Sequence, residues 1–137
     1  MNDSVTLAVT IDCPCRELYE AFWPPEAFPR WASGLSRSRL MRQGNRWRAD
    51  GPEGSVLIRF SPYNAFGVMD HWVELTSGAE VYIPLRVVAN GFRAEVMLTL
   101  FRPGGGAEAE TAFQRDVEWV RKDLLTLQAL AEGGAVV

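Results

Sequence analysis

Apolar and polar positions alternate at the start of the chain. Val5, Leu7, Val9 and Ile11 fall on one side, with Thr6, Ala8, Thr10 and Asp12 on the other. A period of two predicts a strand with one buried face. Cys13-Pro14 breaks it, and Pro14 suits the entry to a helix. From Arg16 to Trp23 the pattern places Leu18, Tyr19 and Phe22 on one helical side, and Pro24-Pro25 must stop that helix. A second short helix is predicted from Pro25 to Trp31, ended by Ser33-Gly34.

A meander of strands follows, predicted at about 35–42, 45–50, 54–61, 66–75, 79–89 and 92–102. Turn residues separate them: Gly44-Asn45, Gly51-Pro52-Glu53-Gly54, Pro62-Tyr63-Asn64, Ser77-Gly78 and Asn90-Gly91. Asn90-Gly91 is the strongest, because a type I′ hairpin turn needs positive φ at both central residues. Beyond Pro103-Gly104-Gly105-Gly106 the period becomes 3.6. Phe113, Val117, Val120, Leu124, Leu127 and Ala131 then form one apolar stripe, widened by Trp119, Leu125 and Leu130. A helix over about 108–132 is predicted, with Glu108 and Glu110 at its positive end and Gly133-Gly134 after it.

One strand, two short helices, six strands and a long helix make an α+β chain. The expected architecture is a seven-stranded curved antiparallel sheet wrapped around the C-terminal helix, a helix-grip arrangement. A single helix is too slim to fill such a sheet, so an apolar cavity of roughly 300–1,000 Å³ is expected between them.

Composition narrows the function. The 137 residues are 47% hydrophobic and 23% charged, values of one globular domain over residues 1–137. The net charge of -3 does not suit a polyanionic partner. Half of the 14 Lys and Arg fall between Arg30 and Arg59, but charges along an edge hairpin also discourage stray strand pairing, so no nucleic acid is expected. No run approaches the roughly 18–20 apolar residues of a membrane span. The N-terminus lacks the pattern of a secretory signal, so a cytoplasmic location is expected. With one histidine and the cysteines Cys13 and Cys15, a four-ligand Cys/His zinc site cannot form in one copy, and no metal or cofactor is expected. Gly104 to Gly106 lacks the Lys-Ser or Lys-Thr of a phosphate loop. The state is expected to be monomer or homodimer.

Several segments carry a resemblance: Asp12-Cys13-Pro14 after the first strand, Phe28-Pro29-Arg30-Trp31-Ala32-Ser33-Gly34, and Phe66-Gly67-Val68-Met69-Asp70-His71-Trp72. Pro84-Leu85-Arg86-Val87-Val88, the run from Glu95 to Phe101, and Asp123-Leu124-Leu125 add to it. On these, over about residues 4 to 132, the chain resembles the START-related, Bet v 1-like (SRPBCC) superfamily and its bacterial polyketide cyclase/dehydrase-like branch. The resemblance implies the helix-grip fold and a lipid, polyketide, sterol or hydroxylated aromatic ligand. Its members include carriers and binders, cyclases, dehydratases and hydrolases, and chaperone activators, so three functions stand open. These are hydrophobic small-molecule binding, a cyclase/dehydratase-type enzyme, and a protein-interaction domain.

The candidate chemistry is sparse. Asp70 and His71 are the one neighbouring acid–base pair, but adjacent strand residues face opposite ways. A two-residue turn at Ser77-Gly78 puts Asp70 opposite Leu85 and Trp72 opposite Ile83, on the apolar side. A three-residue loop instead turns His71 inward. Arg86 falls opposite Glu95 if Asn90-Gly91 is the turn, as an outer-face ion pair. With the faces reversed, Arg86 becomes a buried fork for a carboxylate or phenolate. Asp70, His71 and Arg86 are the catalytic candidates. Trp31, Phe60, Asp70, Trp72 and Trp119 are the candidates for lining the ligand cavity.

Overall fold

The computed structural model describes residues 3–35, 38–51 and 54–133. Strand β1 (Ser4–Ile11) buries Leu7 and Ile11, as its alternation requires. Helix α1 (Cys15–Phe22) follows Pro14 and buries Leu18, Tyr19 and Phe22. The second short helix is a 3-10 segment, Pro25–Arg30, because Pro29 inside it has no N–H for an α-helical bond. A further 3-10 turn spans Ser33–Leu35.

Of the strand expected over 35–42, β2 keeps Met41–Gln43, while residues 36 and 37 lie outside the described residues. It forms a hairpin with β3 (Arg46–Gly51) across Gly44, whose φ is +63°. β4 (Gly54–Phe60) pairs next.

The largest departure from expectation comes after β4. The run expected over 66–75 divides into a bridge at Val68 with Arg86 and β5 (His71–Glu74). The run over 79–89 divides into β6 (Glu80–Ile83) and β7 (Leu85–Asn90). Both breaks fall where Asp70 and Pro84 face each other. Pro84 has no N–H to give a neighbouring strand, although its carbonyl still accepts from Thr99 at 3.0 Å. The N–H of Leu85 turns to the Asp70 carboxylate at 2.9 Å, while Met69 N–H still donates to the Leu85 carbonyl at 2.8 Å.

The expected seven-stranded sheet is therefore two sheets. One holds β2-β3-β4-β5-β6; the other holds β1, β8 (Arg93–Phe101) and β7, in the order β1-β8-β7. All pairings are antiparallel.

Register corrects two further expectations. Asn90 pairs with Arg93, so Gly91 and Phe92 form the turn. Only Gly91 has positive φ there, +63°, as in a type II′ turn rather than I′. Glu95 then faces Val88, and Arg86 faces Met97, so the expected Arg86–Glu95 pair does not form. The face predicted to be apolar is the buried one: Leu85, Val87, Ala94, Val96 and Leu98 are all at most 4% exposed.

Helix α2 (Gly106–Gly133) buries Phe113, Val117, Leu124 and Leu127. It packs chiefly on β1, and this contact closes the main core. A second apolar cluster of Leu35, Ala49 and Ile58 lies under the five-stranded sheet. Phe28 packs against both clusters. Because α2 sits over the three-stranded sheet, the inner face of the other sheet is left partly uncovered. No helix among the described residues is long and apolar enough to cross a membrane.

Candidate ligand cavity

The uncovered sheet face forms one wall of an open cavity of about 300 Å³. Ile58, Val73 and Ile83 line that wall, Leu98 and Leu100 come from β8, and Trp119 and Val120 from α2. Phe28 and Trp31 close the end nearest the short helices. The lining is mostly apolar, as small-molecule sites are. Among the described lining residues, His71, Asp116 and Asp123 carry titratable groups.

His71 points inward because of the loop after β5. Leu75 N–H donates to Ala79 at 2.9 Å and Gly78, at φ +90°, turns the chain. Three residues, Thr76 to Gly78, therefore separate that closing pair. His71 consequently faces Ile83 across the ladder and is 2% exposed. Its Nδ1 lies 3.3 Å from the Met69 carbonyl. A carbonyl only accepts, so Nδ1 carries the hydrogen and Nε2 is left with a lone pair.

Burial holds the imidazole pKa down to about 4, despite opposing contributions from the Met69 carbonyl and the Asp70 charge. The ring is neutral at pH 7. Its folded pKa lies below its unfolded value of 6.5, so protons favour the unfolded chain between those values. Stability present above pH 6.5 should fall as pH drops toward 4, by about 3 kcal/mol from this group. Urea unfolding across that range checks it, and a His71→Phe variant should show a correspondingly flatter pH profile.

Asp123 sits on the helix side and accepts the Ser33 N–H at 3.1 Å. Burial raises its pKa above the usual carboxylate value, against the lowering effect of that hydrogen bond. Trp31 is 3% exposed, and its indole N–H has no hydrogen-bond partner. An unpartnered buried donor costs about 1–3 kcal/mol. The Phe28 ring joins these groups, meeting Trp31 edge-on at 5.2 Å and His71 at 5.1 Å. A second, much smaller void of about 10 Å³ adjoins them and is lined by Trp31, Phe60, Ser61 and His71 among others.

The candidates thus separate. Trp31 and His71 line the cavity, and Trp119 lies at its edge, 42% exposed. Phe60 borders the small void rather than the cavity. Asp70 and Trp72 lie off the cavity, on the opposite face, because the three-residue loop inverts the register that would turn them inward. Trp72 stacks on Tyr82 at 5.1 Å with Arg59 at 4.2 Å over its ring.

Asp70 accepts four hydrogen bonds. They come from Arg86 Nε (2.9 Å) and Nη2 (2.7 Å), the Tyr82 hydroxyl (2.7 Å) and Leu85 N–H (2.9 Å). Burial alone would raise its pKa, but these bonds outweigh it and hold the carboxyl at about 2. The same pairing raises the Arg86 pKa. Asp70 and Arg86 are committed to each other at the break between the sheets, and neither is placed to serve His71 as a dyad. Tyr82 escaped the sequence reading. The signal for a break was Pro84 inside an otherwise unbroken strand pattern. No group of three or more His, Cys, Asp or Glu placed to hold a metal occurs among the described residues.

No protein-family model matches the chain, and no curated protein is similar to it. Solved structures are similar. Protein XoxI from Bacillus cereus superposes with a TM-score of 0.72 at 15% identity, over 93% of this chain and 94% of that one. A START superfamily protein from Mycobacterium smegmatis does so with a TM-score of 0.65 at 15% identity, over 88% and 93%. The di-domain ARO/CYC BexL of the BE-7585A biosynthetic pathway gives 0.70 at 18% identity, over 92% of this chain and 45% of that one. The order of elements, the packing of α2 on β1 and these likenesses agree: the fold is that of the START-related, Bet v 1-like proteins, polyketide cyclase-like structures among them.

Proposed function

We propose that the protein binds a small hydrophobic molecule between α2 and the five-stranded sheet. The observation that carries this reading is the apolar cavity of about 300 Å³, left where one helix covers only one of two sheets. Its volume is at the small end of the ~300–1,000 Å³ typical of such sites, which favours compact ring systems or short chains over sterols. Apolar contact supplies affinity, and the few polar groups set orientation.

Two other readings gain less support. A cyclase or dehydratase needs proton-moving groups converging on the ligand. Of Asp70, His71 and Arg86, only His71 faces the cavity, and with a pKa of about 4 it is a weak base. An interaction domain of the chaperone-activator kind predicts a filled interior, which an open cavity of this volume disfavours.

The neutral fluorescent probe N-phenyl-1-naphthylamine tests the proposal. It should bind saturably to the wild-type chain. Val73→Trp, which places an indole in the cavity wall, should weaken that binding at least about tenfold while the circular dichroism spectrum is kept. No saturable binding, or equal binding to the variant, would count against a ligand in this cavity.

A further inference from the structure

We infer that the ligand is a hydrophobic amine, its protonated head group held on the α2 side of the cavity by Asp116, Trp119 and Asp123. This rests on the proposed use of the cavity and specifies the chemistry of what enters it.

The three side chains all line the cavity from one helix. They are spaced three and then four residues apart, which places them on one helix face, with successive Cβ atoms about 5–6 Å from each other. The Trp119 ring therefore stands between two carboxyl side chains. A carboxylate attracts an ammonium by charge and accepts its N–H bonds, and an indole ring attracts a cation over its face. Trp119 is 42% exposed, so part of its surface is open to a guest.

The acids do not stand alone. On the facing wall His71 is 2% exposed, and its Nδ1 hydrogen belongs to the Met69 carbonyl. Its Nε2 lone pair receives no hydrogen bond from any described group, so this wall offers a further acceptor and no charge. Burial keeps the ring neutral at pH 7, and a neutral ring does not repel a cation. No Lys or Arg occurs among the described residues that line the cavity. The lining thus carries two acids and no base, within walls that are mostly apolar.

That balance separates ligand classes. A fatty acid brings its carboxylate against like charge on α2, with no base to offset it. An alcohol gains apolar contact and ordinary hydrogen bonds. An ammonium gains charge as well. Asp123 accepts the Ser33 N–H through Oδ1, and its burial disfavours the charged form; an ammonium beside it offsets that penalty.

The test compares 1-octylamine, 1-octanol and octanoate as competitors of bound N-phenyl-1-naphthylamine on the full chain at pH 7. The three share one chain and differ in the head group. Octylamine should displace the probe at about tenfold lower concentration than octanol, and octanoate should be weaker than either. Asp123→Asn keeps an oxygen for the Ser33 N–H and removes the charge. In it, and in Asp116→Asn, the octylamine advantage should shrink to about threefold or less while octanol is unaffected. A fall in one variant alone places the ammonium on that acid. The ranking in the wild-type chain decides the matter even where a variant fails to fold.

An octylamine advantage below about threefold in the wild-type chain, or one that neither substitution lowers, overturns the inference. If octanol still displaces the probe in that case, the cavity reading stands and only the ammonium head group fails. If the probe itself does not bind, the cavity reading fails as well.

Discussion

Asp70→Ala should lower folding stability by about 2–3 kcal/mol and leave the affinity of the folded protein for N-phenyl-1-naphthylamine within about twofold. Asp70 is 4% exposed, and four donors converge on its carboxylate. Removing one partner of a buried charged pair typically costs about 3–5 kcal/mol. Here the cost is smaller, because the Arg86 side chain is 47% exposed and can turn to water, as can Tyr82. Leu85 N–H, in contrast, is stranded beside Pro84, where the two sheets part.

Linkage gives a figure of the same size. The folded pKa is about 2 against 3.8 for the free group, which corresponds to about 2 kcal/mol at neutral pH. Because this pKa is depressed, that contribution is present above pH 3.8 and is lost as pH falls through 2. Urea unfolding of the wild type and the variant at pH 7 and pH 3 checks both numbers, because the His71 contribution is common to the two and cancels in their difference. A loss of less than about 1 kcal/mol would show that the staple between the sheets is weaker than its geometry. Loss of ligand binding in the folded variant would put Asp70 in the site after all.

Gly67→Ala should be at least as damaging, costing about 3 kcal/mol or preventing folding. Gly67 has φ +70°, and a Cβ placed on it would lie 2.1 Å from the Val87 carbonyl oxygen. The left-handed conformation alone costs about 1–2 kcal/mol for a residue with a Cβ. Relieving the clash would also pull Gly67 away from β7, where its carbonyl accepts the Val87 N–H at 2.9 Å. The loop has little freedom to shift. The Asn64 side chain donates to Pro62 and Val68 carbonyls and accepts from Phe66 and Val68 N–H groups.

Gly44→Ala and Gly91→Ala are the controls. Both glycines have φ +63° and open space around the missing Cβ, so each should cost only about 1–2 kcal/mol. Equal thermal shifts for all three variants would show that the close approach to Val87 carries no weight.

Periodicity revealed most of the fold, because period 2 and period 3.6 report directly which residues face inward. The inner faces of β7 and β8, the stripe on α2 and the place of α1 all follow from it. Faces within β5 did not follow, since one residue of loop length between Leu75 and Ala79 decides whether Asp70 or His71 turns inward. That same choice carried Trp72 to the outer face. The Arg86 partner was misplaced for a related reason: moving the turn by one residue, from Asn90-Gly91 to Gly91-Phe92, shifts the pairing by two and separates Arg86 from Glu95.

The sheet division at Asp70 and Pro84 depends on a side chain taking a backbone hydrogen bond, which no hydropathy pattern encodes. Within the candidate site, the aromatic character of Trp31 and Trp119 was visible. The unpartnered indole N–H and the free face of His71 were not, because they depend on what the neighbouring groups fail to reach.

Whether the gap between α2 and the five-stranded sheet receives a guest can be read from methyl NMR with N-phenyl-1-naphthylamine. The methyl signals of Ile58, Val73, Ile83, Leu98 and Val120 should shift together and saturate with one equivalent of probe, while that of Val88 on the outer face stays still. Unchanged cavity methyls, or shifts centred on Val88, would contradict a guest in the gap.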